Sequence, residues 1–134
     1  MATTIKRSTN SFSDLDFNFT RLSSTGDVAK KNDVEAVKQS MRALISTRNF
    51  ERPFQPFLGC AVGQLLFENN TPMTRRMIGK TIEEVIQHHE PRAKISSVEV
   101  FDNSDNNEYN VRIYFYVVNH TQQEVFDTYL TRTR

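Results

Sequence analysis

Residues 71–92 decide the fold and read TPMTRRMIGKTIEEVIQHHEPR. Thr71 suits a helix N-cap, and Pro72 suits the first helical position, where a missing N–H costs nothing. Apolar residues recur on one face at helical spacing, and Pro91 ends the helix because it keeps the preceding residue extended. The predicted buried stripe consists of Met73, Met77, Ile78, Ile82, Val85 and Ile86. The stretch therefore predicts one long amphipathic helix.

The sequence after this helix predicts three β-strands. Apolar residues at 95–101 form the first, strict alternation over 109–118 forms the second, and 125–130 forms the third. The polar segments 102–107 and 119–123 have the composition of turns. Strands joined by short turns predict a C-terminal three-stranded antiparallel β-meander.

The sequence before the long helix predicts one further helix and a short one. Asn32 and Glu35 have the spacing of a capping box, and residues 32–48 carry an apolar face. That face consists of Val34, Val37, Met41, Leu44 and Ile45. Two prolines in 52–57 forbid regular structure there, and residues 59–68 suit a short helix.

The N-terminal end predicts an arm followed by an extended segment. Residues 1–11 are polar and suit a flexible arm. Leu15, Phe17 and Phe19 alternate with polar residues, which predicts an extended segment with one buried apolar face. We therefore expect residues 12–134 to form a single domain of the α+β class, with two to three helices and then the β-meander.

Composition excludes several classes of protein. The chain has 134 residues, a net charge of +1 and one cysteine. These values argue against a disulfide scaffold, a multi-cysteine metal site and a nucleic-acid-binding protein. No apolar run is long enough to span a membrane, and the first residues lack the apolar stretch of a signal peptide. We expect an intracellular protein without nucleic-acid or membrane partners.

No residue pattern predicts catalysis, a metal or a cofactor. His88 and His89 are adjacent on a helix and diverge, so they do not converge on one ion. Cys60 lies in an apolar patch and suits a small buried thiol. Gly79-Lys80-Thr81 lacks the first glycine of a P-loop and falls within a helix. We expect no catalytic residues, no metal and no cofactor.

Three segments together resemble a known family. They are Arg-Pro-Phe-Gln-Pro-Phe-Leu-Gly-Cys at 52–60, Leu-Leu-Phe-Glu-Asn at 65–69 and Glu-Pro-Arg at 90–92. Their order around the long helix and the β-meander resembles the baseplate wedge family of contractile-tailed bacteriophages. Type VI secretion systems share that family, which was once called lysozyme-like. The resemblance covers about residues 30 to 130.

The resemblance implies a structural subunit that docks on a helical core bundle made by other wedge subunits. It places the docking motif on Glu90, Pro91 and Arg92. Proline restricts the backbone, so we expect both charged side chains to extend toward a partner, where arginine pairs bidentately with a carboxylate. The alternative is that Pro91 only stops the helix and Arg92 is a surface charge. Arg52 either contacts the partner or bonds helix-end carbonyls near Arg48.

The last strand is the predicted contact with the tail sheath. Its residues are Val125, Phe126, Asp127, Thr128, Tyr129 and Leu130. The resemblance implies that the subunit templates sheath assembly, and an open sheet edge can accept a partner strand. The alternative is an ordinary edge protected by Glu124 and Asp127. We expect Phe54, Phe57, Leu66 and Phe67 to lie in the core rather than at an interface.

The resemblance also sets the location and the competing functions. It implies a place in the tail baseplate of the virion after assembly in the host cytoplasm. The partners are wedge subunits and the sheath protein, and the tail tube or inner baseplate proteins are further candidates. One alternative is a peptidoglycan-degrading muramidase of the tail, which requires two carboxylates across a cleft. Another is a free-standing peptide-binding module that uses the same sheet edge.

Overall fold

The computed structural model describes residues 12–132. The predicted arm at 1–11 lies outside the described residues. A short hairpin of β1 and β2 precedes three helices, and a three-stranded sheet of order β3-β4-β5 follows. The elements are β1 (Ser13–Leu15), β2 (Lys30–Asn32), α1 (Asp33–Ser46), α2 (Val62–Leu65), α3 (Pro72–His89), β3 (Ala93–Asn103), β4 (Glu108–Val117) and β5 (Gln123–Thr131), with a 3₁₀ turn at Ser104–Asn106. The predicted α+β class is confirmed.

The C-terminal sheet is an antiparallel meander, as the alternating sequence predicts. β4 is its central strand and pairs with β3 on one side and β5 on the other. The inward residues of β4 are all buried, and they are Tyr109, Val111, Ile113, Phe115 and Val117. The helices cover this face of the sheet, and their apolar residues join the same core cluster. A bulge near Ser96 interrupts the register between β3 and β4.

The long helix α3 begins and ends where the sequence predicts, but its buried face is narrower. The Thr71 hydroxyl accepts a hydrogen bond from the Thr74 backbone N–H at 3.1 Å. Ile78, Ile82 and Ile86 are buried, whereas Met73 is 64% exposed and Met77 is 46% exposed. The prediction of a buried Met73 and Met77 is wrong. Thr74 occupies the buried row instead, because its hydroxyl donates to the Asn69 carbonyl oxygen at 2.8 Å.

Helix α1 has the predicted buried face but a different N-terminal cap. Its core residues are Val37, Met41, Leu44 and Ile45. The Asn32 side chain forms no capping hydrogen bond, so the predicted capping box is wrong. The Asp33 carboxylate instead accepts from the Phe12 backbone N–H at 3.1 Å, and the Asp33 N–H donates to the Phe12 carbonyl at 2.9 Å. These bonds tie the N-terminal segment to the start of α1.

The N-terminal segment turns the opposite way from the prediction. Leu15, Phe17 and Phe19 are exposed, whereas Asp16 between them is buried. Gln39 of α1 explains this orientation, because its amide donates to the Leu15 carbonyl at 2.7 Å and accepts from the Phe17 N–H at 3.1 Å. Polar contacts to the backbone, rather than apolar burial, fix this segment.

None of the helices formed by residues 12–132 has the length and apolar character needed to cross a membrane.

Candidate docking site

The Glu-Pro-Arg segment forms the corner between α3 and β3. Glu90 caps the C-terminus of α3, and its N–H donates to the Ile86 carbonyl at 2.8 Å. The Glu90 residue is only 2% exposed, whereas Pro91 is exposed and Arg92 is partly buried. The corner therefore presents the proline ring and holds the carboxylate inside.

The guanidinium of Arg92 binds the Glu90 carboxylate through two hydrogen bonds. Its Nε donates to Glu90 Oε1 at 2.7 Å, and its Nη2 donates to Oε2 at 2.8 Å. This bidentate geometry is the strong form of an arginine–carboxylate pair. The Arg92 backbone N–H also donates to Glu90 Oε1 at 3.3 Å. The two charged residues on either side of Pro91 are therefore paired with each other within the motif.

Strand β1 completes the corner from the other side. Arg92 Nη1 donates to both carboxylate oxygens of Asp14, at 3.2 and 3.1 Å. The guanidinium carbon also lies 5.6 Å from the centre of the Phe12 ring, which is a cation–π distance. We call Glu90, Arg92 and Asp14 the clamp. Its three members link the N-terminal hairpin to the end of α3.

The clamp sets the charge states of its members. Burial, the largest influence, raises the pKa of Glu90, but hydrogen bonds from Arg92 and Ser40 and the charge of Arg92 together outweigh it. The pKa of Glu90 therefore lies below its ordinary value. Hydrogen bonding to Glu90 raises the pKa of Arg92, so its guanidinium stays charged. Both groups are ionised at neutral pH.

This geometry corrects the expected orientation of the motif. The expectation that Glu90 extends toward a partner is wrong for the isolated chain, because its carboxylate is buried and paired. The reading of Arg92 as a simple surface charge is also wrong, since it bonds a buried carboxylate. The Arg92 side chain nevertheless remains 23% exposed. The predicted end of the helix before Pro91 is confirmed.

Arg52 lies on the surface of the loop between α1 and α2. Its side chain is exposed, and within residues 12–132 it forms no hydrogen bond or ion pair. The predicted alternative, in which Arg52 bonds the carbonyls at the end of α1, is therefore wrong. The Cys60 N–H takes that role and donates to the Thr47 carbonyl at 2.8 Å.

Gly59 makes that contact possible, and sequence reasoning missed its role. Its φ is +137°, and a Cβ placed there would lie 2.8 Å from the Arg48 carbonyl oxygen. Only glycine accommodates both the positive φ and the close approach. The signal available in the sequence was the glycine itself, which follows a helix and a proline-rich loop.

Four phenylalanines near this loop are exposed. Phe54 is 96% exposed, and Phe50, Phe57 and Phe67 are each at least 67% exposed. The prediction that Phe54, Phe57 and Phe67 lie in the core is wrong. We call these four residues the phenylalanine surface. The prediction for Leu66 fits better, because Leu66 is partly buried and packs against the core.

The last strand, β5, is an outer strand of the sheet. Within residues 12–132 it pairs only with β4, so its other backbone edge has no strand partner. Phe126 is buried, whereas Val125 and Tyr129 are exposed on the face away from the helices. Lys38 pairs with Glu124 at 3.4 Å, and Arg112 pairs with Asp127 at 2.8 Å. Both predicted protective acids are thus neutralised within the chain.

The remaining candidate residues have ordinary structural environments. His88 Nδ1 lies 2.8 Å from the Glu84 carbonyl oxygen one turn earlier. Cys60 is buried, and that burial raises the pKa of its thiol. Within residues 12–132, no group of three histidine, cysteine, aspartate or glutamate side chains could hold a metal ion.

Comparison with known proteins identifies the family. The sequence pattern of the family described as "Baseplate wedge protein gp25" matches residues 31–123. The chain belongs to this family. It is 35% identical over 92 residues to the baseplate wedge protein gp25 of Enterobacteria phage T4, covering 69% of this chain and 70% of that protein. It is a structural baseplate wedge component of a contractile-tail system, as the resemblance predicts.

Solved structures share the fold. A chain in the baseplate of the anti-feeding prophage is 27% identical, with a TM-score of 0.63, covering 92% of this chain and 87% of that one. A putative tail lysozyme from Geobacter sulfurreducens has a TM-score of 0.65 at 23% identity, covering 75% and 93%. A chain of the type VI secretion system baseplate complex has a TM-score of 0.63 at 14% identity, covering 74% and 93%. The last two show similarity of fold alone.

Proposed function

We propose that the chain docks on the core bundle of the baseplate wedge through two surfaces, one at the C-terminal end of α3 and one in the segment between α1 and α3. The first is the corner of Glu90, Pro91 and Arg92. The second is the phenylalanine surface together with Arg52. The relatives from phage T4 and the anti-feeding prophage are baseplate proteins, which supports a role as one subunit among several.

The observation that carries this proposal is the exposure of the phenylalanine surface, three of whose four residues lie on the loop between α1 and α2. The Phe50 N–H donates to the Pro56 carbonyl at 2.8 Å, and the Phe50 and Phe57 rings lie 6.3 Å apart. Clustered exposed apolar side chains mark interaction sites. Because backbone hydrogen bonds already order the loop, the loop loses little conformational entropy when a partner covers it.

The clamp supports docking in a different way. Glu90 and Asp14 hold the Arg92 guanidinium in one orientation, so the exposed part of Arg92 and the Pro91 ring form a rigid projection. A rigid projection of this kind suits the buried anchor of an interface. In this proposal Glu90 positions Arg92, and Pro91 and Arg92 touch the partner.

Co-purification tests the docking. The chain is co-expressed with the wedge core subunits encoded beside it, as wild type, as Pro91→Glu and as the Arg52→Glu/Phe54→Ser double variant. We expect the wild type to elute with the core and both variants to elute alone. The matched control is Lys94→Glu, an exposed change on β3 that should co-elute normally. Circular dichroism checks that each variant is folded.

Co-elution of both variants with the core would refute the proposal. The Glu90→Ala/Arg92→Ala double variant is less informative, because removing a buried ion pair also affects folding. Its elution is interpreted only where its thermal unfolding matches that of the wild type.

We also propose that β5 templates the start of sheath assembly. The unpaired outer edge of β5 supports this role, because main-chain groups there can pair with an added strand. Neutralised Glu124 and Asp127 leave little net charge to repel one.

A nucleation assay tests the templating proposal. Purified sheath protein is mixed with substoichiometric chain, and polymerisation is followed by light scattering. We expect the wild type to shorten the lag. Lysines on an edge strand discourage strand addition, so the Val125→Lys/Tyr129→Lys variant should not shorten the lag. Tyr116→Lys, an exposed change on the central strand, is the control. An unchanged lag with wild-type chain would contradict the role.

We propose that the chain is not a muramidase. A glycosidase needs a general acid whose pKa is raised, and Glu90 does not suit that role because hydrogen bonds and the charge of Arg92 outweigh its burial and lower its pKa. The relatives from phage T4 and the anti-feeding prophage are named as baseplate components. A turbidity assay on purified cell walls should show no clearing, and clearing that survives repurification would overturn this conclusion.

A further inference from the structure

An open groove lies between α3 and the outer edge of β3. It has a volume of about 530 Å³, and Val98 and Val100 of β3 line one side. Gly79 of α3 faces them, and a Cβ placed there would lie 3.5 Å from Val100 Cγ2 and 3.8 Å from Val98 Cγ1. Since no residue of β4 or β5 lines the groove, it opens on the side of β3 that has no neighbouring strand.

The edge of β3 offers main-chain hydrogen-bonding groups to this groove. Within residues 12–132, β3 pairs with β4 alone. The bulge near Ser96 disturbs only the first part of the strand, and the register is regular from Ser97 to Asn103. An edge strand beside a helix can accept an extended peptide, whose alternate side chains enter the groove.

The walls of the groove are mainly basic. Arg75, Arg76 and Lys80 line it, with Glu83 as the one acid among the lining residues. The side chains of Arg75 and Arg76 form no hydrogen bond or ion pair within residues 12–132. Lys80 has only a 3.8 Å contact with Glu84, and both side chains are more than half exposed. Such a pair contributes little, so all three cations can bind a ligand.

The other outer strand lacks these features. The acids beside β5 already pair with Lys38 and Arg112. The two edges therefore suit different partners, and the β3 edge is the one beside a cluster of three cations that have no strong ion-pair partner.

We propose that the β3 edge binds an acidic, extended segment of a partner protein, which adds as a strand in the groove under α3. Apolar side chains of the segment pack on Val98 and Val100 against the gap at Gly79. Its carboxylates pair with Arg75, Arg76 and Lys80. This site is separate from the docking surfaces and from the β5 edge, so it stands or fails independently of the proposed function.

Peptide binding to the full chain tests this site. The probe is a peptide of about nine residues, within the usual range of strand length, in which the alternate positions that face the groove carry valine and aspartate in turn and the positions between them carry threonine. A valine–lysine peptide controls for charge. A valine–aspartate peptide with alternate N-methylated residues controls for main-chain pairing. Binding is followed by calorimetry, and backbone amide NMR shifts identify the contact strand.

We expect the acidic peptide to bind and to shift the amides of 97–103. The lysine and N-methylated peptides should bind at least about tenfold more weakly, because charge pairs or main-chain hydrogen bonds are lost. Arg75→Glu/Arg76→Glu should weaken acidic-peptide binding by about tenfold or more, since each pairing becomes repulsion. Lys30→Glu/Lys94→Glu has the same net charge outside the groove and should bind like the wild type.

Several results would overturn the proposal. They are no binding of the acidic peptide, equal binding of the lysine or N-methylated peptide, and amide shifts confined to β5. If the Arg75→Glu/Arg76→Glu variant does not fold, the peptide controls on the wild type still decide the outcome. A salt titration adds a second measure, because binding through three cations should weaken as salt increases.

Discussion

The clamp lies at the C-terminal end of α3, and the phenylalanine surface lies in the segment between α1 and α3. The two differ from their sequence-based predictions in opposite directions. The charged motif at 90–92 was expected to extend outward, yet Glu90 is buried and bound to Arg92. The phenylalanines near Arg52 were expected in the core, yet Phe54 is 96% exposed. The comparison shows that residue type alone does not decide burial. Whether a charged side chain is buried depends on its nearby partners. Whether an apolar side chain is buried depends on its place in a regular helix or strand.

Removing the buried charge of the clamp should have the largest effect on stability. Glu90→Ala leaves the Arg92 guanidinium without its main partner in a partly buried site, so we expect a loss of about 3 to 5 kcal/mol in unfolding free energy. Chemical denaturation measures it. Arg92→Lys keeps a positive charge but loses the bidentate geometry, and it should cost less. A loss below that of Arg92→Lys would show that Glu90 is not the centre of the corner.

In the loop between α1 and α2, substitution of Gly59 should destabilise the fold more than substitution of the exposed Phe54. Gly59→Ala places a Cβ 2.8 Å from the Arg48 carbonyl oxygen at a φ of +137°. We expect a loss of about 1 to 3 kcal/mol from this strain. Gly63→Ala is the matched control, because a Cβ there meets only an arginine side-chain atom at 3.9 Å. Thermal unfolding of both variants gives the difference, and equal melting temperatures would mean that the loop relaxes freely.

The clamp should also make stability depend on pH. The pKa of Glu90 is lower in the folded chain than its ordinary value of 4.5, so the unfolded chain takes up the proton first. The clamp's contribution is therefore complete above about pH 4.5 and is lost as the pH falls through the folded pKa. We expect this acid-dependent loss to be smaller in Glu90→Gln, measured by denaturation from pH 7 to pH 3. Parallel curves for the two proteins would exclude Glu90 as the titrating group.

Segments with a regular apolar pattern could be predicted from the sequence. Segments held by polar contacts to distant residues could not. The alternation in β4 and the capped helix α3 are local patterns, and the structure reproduces both. The orientation of Asp16 depends on Gln39, more than twenty residues later in the chain. The pairing of Arg92 with Asp14 spans 78 residues. Contacts between residues so far apart in the sequence become visible only in the folded structure. The Glu-Pro-Arg motif could therefore be identified from the sequence, but the orientation of its side chains could not.

Substitution of Phe54, on the loop between α1 and α2, should have the smallest effect on stability and a clear effect on association. Phe54 is almost fully exposed, so Phe54→Ser removes little buried area, and we expect a change within about 0.5 kcal/mol. The same variant should bind the wedge core more weakly, because it loses an exposed aromatic anchor. Denaturation and co-elution on one preparation separate these effects. A large loss of stability would show that Phe54 packs within the fold, whereas unchanged stability with unchanged co-elution would show that the loop serves neither folding nor docking.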